Sequence, residues 1–282
     1  MNLYSSFDEV EKDINDNTPR IIYKFRNWDN EFHKKILTER EVWFAHPHSL
    51  NDPHDVRLPY NFIAKNIDWD RAKFEMKEAG RIIDSQLSEE DLDQEVENRL
   101  YDLRKDPIDY FVRNLKDFYS DTTYFDRIGV FSCCTSFSNE AMWANYGNDH
   151  RGFALGFNTI ELARPLNCGL CLVNYDDKPI DYQIYGSKKD NLDRMDIEIC
   201  QKSTRWSYEE EIRFFAYGIG INRYRSSIFP VEALEEIIFG LHTSTSVIDE
   251  IIKIASVSYP KVSLFKVAVN PTGFGLIKTS II

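Results

Sequence analysis

Thr204-Arg-Trp-Ser-Tyr-Glu-Glu-Glu-Ile-Arg-Phe-Phe215 is the stretch on which the reading of this chain turns. If Tyr208 to Phe215 is a strand, its side chains alternate between two faces. Tyr208, Ile212 and Phe214 then point one way, with Glu210 as the exception, while Glu209, Glu211 and Arg213 point the other. Two carboxylates and a guanidinium on one face of an apolar-backed strand are costly to bury. They are therefore either solvated or gathered at a site. The flanking Trp206, Phe214 and Phe215 imply partial enclosure and point to a site.

The 282 residues are enough for one large domain or two modest ones, and 43% hydrophobic with 14% aromatic content supports a substantial core. The net charge of −12 disfavours non-specific nucleic-acid binding, which relies on neutralising phosphates with Lys and Arg. It leaves room for a local basic pocket that takes a phosphate or a dinucleotide. No apolar run approaches the roughly 20 residues of a membrane span, and the polar, acidic Met1–Arg20 lacks the features of a signal peptide. The expectation is a soluble, cytoplasmic protein. Five cysteines at irregular spacing do not form a disulfide framework and are expected as buried or partly buried thiols. Cys168-x-x-Cys171 has zinc-ligand spacing but no second pair, so no metal is expected there.

Working outward from the glutamate segment, Ile21–Arg26, Glu41–Ala45, Ile128–Cys134, Gly152–Phe157 and Leu170–Tyr175 read as strands, as do the tail segments 235–240, 262–269 and 274–281. Helices are expected near 30–37, after a Ser138 cap, over 190–202 and over 246–256. Residues 68–120 differ in character. They are strongly charged, and Trp69, Ala72, Met76, Ala79 and Ile83, then Leu92, Val96, Leu100 and Leu103, recur at helical steps. Ser88 with Asp91 resembles a capping box, and Pro107 opens a third helix. One α+β domain over 1–282, with a helical insertion at about 66–121, is the simplest account.

The motifs form an ordered series: Tyr23-Lys-Phe-Arg26, Trp43-Phe-Ala-x-Pro-x-Ser-Leu-Asn-Asp-Pro53, Val130-Phe-Ser132, Met142-Trp-Ala-Asn-Tyr-Gly147, His150-Arg-Gly-Phe-Ala-Leu-Gly-Phe157, Trp206-Ser-Tyr-Glu-x-Glu-Ile-Arg213 and Glu236-Ile-Ile-Phe-Gly240. The series resembles the bacterial family known as domain of unknown function 2971 over nearly the whole chain apart from the helical insertion. His54 departs from the family's usual Phe. The arrangement is also similar to an ADP-ribosyltransferase site, with an Arg or His on the first strand, a Ser or Tyr on a middle strand, and a Glu-x-Glu pair opening a later one. That likeness implies a mixed, mainly antiparallel split β-sheet core and an NAD-dependent enzyme, a toxin or phage-defence effector, with NAD as its substrate and a protein as a conceivable acceptor.

On that analogy Glu211 stabilises the oxocarbenium character that develops on the ribose, and Glu209 orients the acceptor or acts as base. Arg26 presents its fork to a phosphate or ribose oxygen. Trp143, Tyr146 or Trp206 stacks on the nicotinamide, and Ser132 bonds to the ring or to Glu211. Asn51, Asp52 and Arg213 complete the substrate-binding set. Each residue has a plainer reading beside this one. Glu209, Glu211 and Arg213 form a strand-face ion-pair network; Arg26 is structural glue; Trp143 and Tyr146 are core aromatics; Asn51 and Asp52 set turn geometry; and His150 caps a helix, its imidazole partly positive. A non-catalytic interaction or sensing module is thus the alternative to an enzyme. A metal hydrolase built on His46, His48, His54 and Asp55 is the third option. Phosphate-loop, dinucleotide-fold and Gly-x-Ser-x-Gly signatures are absent from the sequence.

Overall fold

The structure, a computed structural model, describes residues 17–120, 125–186, 194–220 and 224–281. It divides into two compact units. One comprises residues 1–51, 124–176 and 200–282; the other comprises 52–123 and 177–199.

The first unit is built on an eight-stranded sheet. In chain order its strands are β1 (Ile21–Arg26), β2 (Ile128–Cys134), β3 (Phe153–Asn158), β4 (Gly169–Leu172), β5 (Glu211–Tyr217), β6 (Leu234–Phe239), β7 (Ser263–Val269) and β8 (Leu276–Ser280). The spatial order is β8-β7-β6-β3-β1-β2-β5-β4. Every pairing is antiparallel except β6 with β7, which run parallel. A mixed, mainly antiparallel α+β core is therefore what the chain forms. The glutamate segment enters it later than expected: Thr204–Glu209 is a 3₁₀ turn, and β5 starts at Glu211.

Alternation assigns the two faces. Ile22, Phe131, Cys133, Leu155, Ile212, Phe214 and Ile237 belong to one apolar core. They pack under α1 (Glu31–Thr38) through Ile36 and Leu37, α3 (Thr159–Leu166) through Leu162 and Leu166, and α4 (Thr245–Ser258) through Ile251 and Ala255. Tyr23, Phe25, Cys134, Ala154 and Ile238 form the opposite core, against Trp143 of α2 (Glu140–Asn145). Each fully buried Leu, Ile or Phe contributes roughly 1.5–3 kcal/mol. Capping fixes the helix starts. Asn30, Asn158 and Ser244 accept from the first turns of α1, α3 and α4, and α2 is capped by Asn139 rather than by Ser138, because the Asn139 side chain accepts from the Met142 N–H.

The middle of the sheet is discontinuous. β1 and β3 match at six consecutive positions, whereas β1 and β2 match only at Tyr23 and Cys134. Beyond that pair the β2 edge is completed from elsewhere. The Lys24 ammonium donates to the Ser132 carbonyl, and Ala45 bridges Val130 with bonds of 2.7 and 3.0 Å. A buried strand edge needs partners for its carbonyls and N–H groups. Here a lysine and a passing loop supply them.

The second unit pairs strands Tyr60–Ile63 and Ile180–Gln183 in parallel, with helices Trp69–Ile83, Glu89–Lys105 and Pro107–Ser120. Ala72, Met76, Leu92, Val96, Leu100, Leu103 and Ile184 form its core. The helical period was thus read correctly, as was the Ser88 cap, which accepts from the Asp91 N–H at 3.1 Å. The helix expected over 190–202 is observed at Arg194–Cys200; residues 190–193 lie outside the described residues.

One cysteine expectation fails. Cys171 of β4 and Cys200 are joined in a disulfide with Cα atoms 6.1 Å apart, within the range such a bond requires. Spacing alone did not reveal it, because the partners are 29 residues apart and meet where Asn174–Tyr175, just after Cys171, pairs with Gln201–Lys202, just after Cys200. Reduction with dithiothreitol is expected to destabilise the protein by about 3 kcal/mol, through the entropy of the released loop. A urea midpoint unchanged by reduction would contradict the bond. Gly152 offers a second check on the fold. A Cβ there would lie 2.1 Å from the Arg26 carbonyl oxygen and 2.9 Å from that of Gly147. Both obstacles are backbone, so Gly152→Ala is expected to cost about 1–3 kcal/mol in urea denaturation.

Candidate active site

The site grows from a local reversal. Ser203 caps the 3₁₀ turn by accepting from the Arg205 N–H at 3.4 Å, and Glu210 ends the turn in the left-handed region with φ 45°. That residue is exposed, while Glu209 and Glu211 on either side of it turn inward, 4% and 5% exposed. The two carboxylates converge through this kink and not through strand alternation.

Both meet Lys202, itself 2% exposed, in the two-residue strand Gln201–Lys202 that pairs in parallel with Asn174–Tyr175. The ammonium bonds to Glu209 and reaches Glu211 Oε2 at 3.2 Å. Arg213, fully buried, grips Glu211 with Nε at 2.7 Å from Oε1 and a terminal nitrogen at 2.9 Å from Oε2. Ser132 faces Arg213 from β2, on the same side of the sheet as Glu211. The Tyr175 hydroxyl accepts from the Glu211 N–H at 2.9 Å. Two cations thus balance two anions, and the fork geometry of Arg213 offsets a desolvation that an unpaired charge would not survive.

The outer shell is aromatic and amide-bearing. The Tyr146 hydroxyl donates to Glu209 Oε1 at 2.5 Å, and Asn51 Nδ2 donates to that hydroxyl at 2.5 Å. The Lys202 ammonium lies 5.0 Å from the centre of the Trp206 ring. Asn139, the cap of α2, donates to the Tyr208 carbonyl at 2.5 Å and ties that helix to the glutamate turn. Exposure grades outward through this set. Glu209 is buried, Tyr146 and Trp206 are half-buried, and Asn51 is exposed.

Electrostatics separate the roles. Burial pushes the Glu211 carboxyl up, but Arg213, then Lys202 and Ser132, outweigh it and hold the group well below the usual carboxylate range. Glu211 is therefore an anion at neutral pH. Burial, reinforced by the bond to Glu209, pushes the Tyr146 hydroxyl far above its ordinary value and keeps it a donor.

The structure brings together Glu209, Glu211, Arg213, Ser132, Tyr146, Trp206 and Asn51 from the expected set. Three others lie elsewhere. Arg26 shares its face with Ile22, under α1, whereas Glu211 aligns across the sheet with Cys134 and Tyr23 on the opposite face. Trp143 is fully buried. Its ring stands edge-on to Phe25 with centroids 5.0 Å apart, and its indole N–H donates to the Phe137 carbonyl at 2.7 Å, so it is a core aromatic and no ring platform. Asp52, buried in the second unit, uses Oδ1 to accept from the His54 N–H at 2.9 Å and sets a turn. His150 does not carry the favoured positive charge: burial, then His242, lowers its imidazole. His46 holds its own turn through Nδ1, which accepts from the His48 N–H at 3.0 Å, and Nε2 donates to Asp126 at 3.0 Å. Among the described residues no group of three or more His, Cys, Asp or Glu side chains is placed to hold a metal ion.

Lys202 and Tyr175 are the residues that sequence reasoning missed. A charge balance would have found the lysine. Two glutamates enclosed by aromatics need two cations, and Arg213 supplies only one.

A model of the family described as "Protein of unknown function (DUF2971)" matches residues 142–214. That stretch contains Tyr146, Lys202, Trp206, Glu209, Glu211 and Arg213 but not Asn51 or Ser132. No curated protein and no solved structure matches the chain significantly.

The cluster makes a stability prediction with a defined sign. The folded-state value of Glu211 lies below its unfolded one, so its contribution is present above the unfolded value and is lost as pH falls through the folded one. Urea denaturation should show stability falling from about pH 5 down towards pH 2. Glu211→Gln, which strands Arg213, should cost about 3–5 kcal/mol at neutral pH and flatten that acid limb. An acid limb identical in wild type and variant would sink the assignment.

Proposed function

We propose that this chain is an ADP-ribosyltransferase-like enzyme that cleaves the nicotinamide–ribose bond of NAD, with Glu209 as the carboxylate that meets the ribose. One observation carries the reading. Ser132 on β2 is the register partner of Arg213 on β5, and Arg213 grips Glu211 at the head of that strand, so residues ordered along the sequence come together on adjacent strands beside β1. The parting of β1 and β2 after a single matched pair also suits the split sheet that such enzymes use.

The division of labour follows from the geometry. Glu211, held on both oxygens by Arg213 and on one by Lys202, has no freedom to move a proton. It serves as a fixed negative charge near the reacting ribose. Glu209, though buried, is linked to the exposed Asn51 through the Tyr146 hydroxyl. A ribose hydroxyl that takes the place of the Tyr146 hydroxyl on Oε1 would be held by an anion as positive charge develops at the neighbouring carbon. Trp206 is the half-buried ring beside it and suits stacking on nicotinamide. Arg26 and Trp143 have no part in this scheme. In a cytoplasmic setting such an activity would suit a toxin or a phage-defence effector.

A second reading is favoured by the closure of the ion-pair cluster. Lys202 and Arg213 are both committed to carboxylates, as expected of a scaffold that stabilises a non-catalytic interaction module. Incubation with NAD labelled on its adenylate portion, with and without cell lysate, decides between them. The enzymatic reading expects free nicotinamide and transferred label from wild type, with Glu209→Gln lowering the rate about a hundredfold or more while the fold is retained. Wild-type protein that releases no nicotinamide and transfers no label under these conditions supports the scaffold reading instead.

A further inference from the structure

We infer that Lys24 and Arg26 form a binding site for a phosphate group on the α1-covered face of the central sheet. The carboxylate cluster belongs to the other face, and Glu211 and Glu209 act on Lys24 only through their field, behind burial and Arg26.

Residues two apart on a strand share a face and lie about 7 Å apart along it, so two cations stand side by side on β1, with Ile22 on the same face. Neither makes an ion pair with a carboxylate among the described residues. The Lys24 ammonium donates to the Ser132 carbonyl and lies over the Phe131 ring, 4.7 Å from its centre. Among the described residues Arg26 makes a single hydrogen bond, 3.5 Å to the carbonyl of its neighbour Phe25, and its buried Nε–H has no acceptor. A lysine carries three donor hydrogens and an arginine five, so most of the donor capacity of this pair is unspent.

Burying two like charges side by side without a counter-ion is unfavourable. The cost shows on each group. Burial, then the neighbouring guanidinium, brings Lys24 down to about 7, and burial brings Arg26 down to about 10. Glu211 and Glu209 raise Lys24 through their field, but burial and Arg26 outweigh them, and the groups beside the pair add no negative charge. Burial keeps the Cys133 thiol neutral by pushing it up to about 12. His33 is held neutral as well, by burial and then by Arg26 and Lys24. Its Nδ1 accepts from the Asn27 N–H at 3.3 Å, which places the ring hydrogen on Nε2 as a further donor. Lys24 and Arg26 are only half-buried although they sit on an interior strand, so solvent reaches them. A planar fork beside a point charge, with a neutral imidazole donor near, suits the three acceptor oxygens of phosphate.

The experiment is thermal unfolding of the full chain in a titration of inorganic phosphate at fixed ionic strength, with adenosine monophosphate and acetate as parallel arms. A saturable rise of several degrees is expected with inorganic phosphate if the free ion is the ligand, or with the monophosphate alone if an ester is. Arg26→Gln should weaken the response at least tenfold, and so should Arg26→Lys, which keeps the charge but loses the fork. No saturable rise in either phosphate arm overturns the inference. An equal rise with acetate does so too, as does a response that survives in both variants. Nicotinamide release is a separate readout, so failure here leaves the NAD reading standing, and the reverse holds.

Discussion

The Lys202 ammonium, lodged between two carboxylates and backed by an indole ring, is the contact on which the arrangement of the first unit depends. Without it Glu209 would be a buried anion with only a tyrosine hydroxyl for company. With it, three separate pieces of chain converge: the Gln201–Lys202 strand, the 3₁₀ turn and the head of β5. The disulfide acts on the same junction, since Cys171 aligns with Arg213 across β4 and β5 while Cys200 lies two residues before Lys202. The covalent bond and the ion pairs therefore brace one corner of the sheet. Replacing such a cluster with apolar residues can be neutral or stabilising. Stability alone therefore does not explain why so much charge is held there.

The gap between β1 and β2 is the second constraint. A strand that leaves its neighbour after one matched pair exposes the neighbour's edge. Here Lys24 and Ala45 fill it, each answering a different residue of β2. The loop that passes through Ala45 goes on to Asn51, which bonds to Tyr146 and so to Glu209. The discontinuity is thus what lets a loop from the beginning of the chain reach a site assembled largely from its second half.

Periodicity made much of this legible. The helices of the second unit and the strands of the sheet follow from spacing, and residue type pointed to the gathering of Glu209, Glu211 and Arg213, although the kink at Glu210 and not strand alternation brings Glu209 in. What spacing could not supply was the face on which a residue falls relative to another strand. Arg26 alternates correctly within β1, but whether it joins Glu211 depends on the register of Tyr23 with Cys134 and of Cys134 with Glu211. A shift of one residue would reverse the answer. Trp143 failed for a related reason. Trp143 on the six-residue helix is sealed in the core, while Tyr146, at the C-cap, packs its ring against the same core and sends its hydroxyl to Glu209, and only the neighbours decide which is which. The left-handed Glu210 was hidden as well, because a Glu in that conformation is uncommon and nothing adjacent announces the reversal.

These assignments leave the sheet electrostatically asymmetric. On one face charges cancel in pairs, and each carboxylate has a cation within bonding reach. On the other, two cations stand together beside a neutral thiol and a neutral imidazole, and Glu211 and Glu209 reach Lys24 only through their field. The chain as a whole carries a net charge of −12, so a bare positive spot is not a by-product of general basicity. Long-range repulsion from such a surface is screened within about 8 Å at physiological salt, whereas contacts made to half-buried groups are screened far less. An anion that reaches Lys24 and Arg26 would therefore be held by short-range donors acting against the field of the whole molecule. Selectivity then rests on the geometry of the oxygens it offers and not on its charge alone.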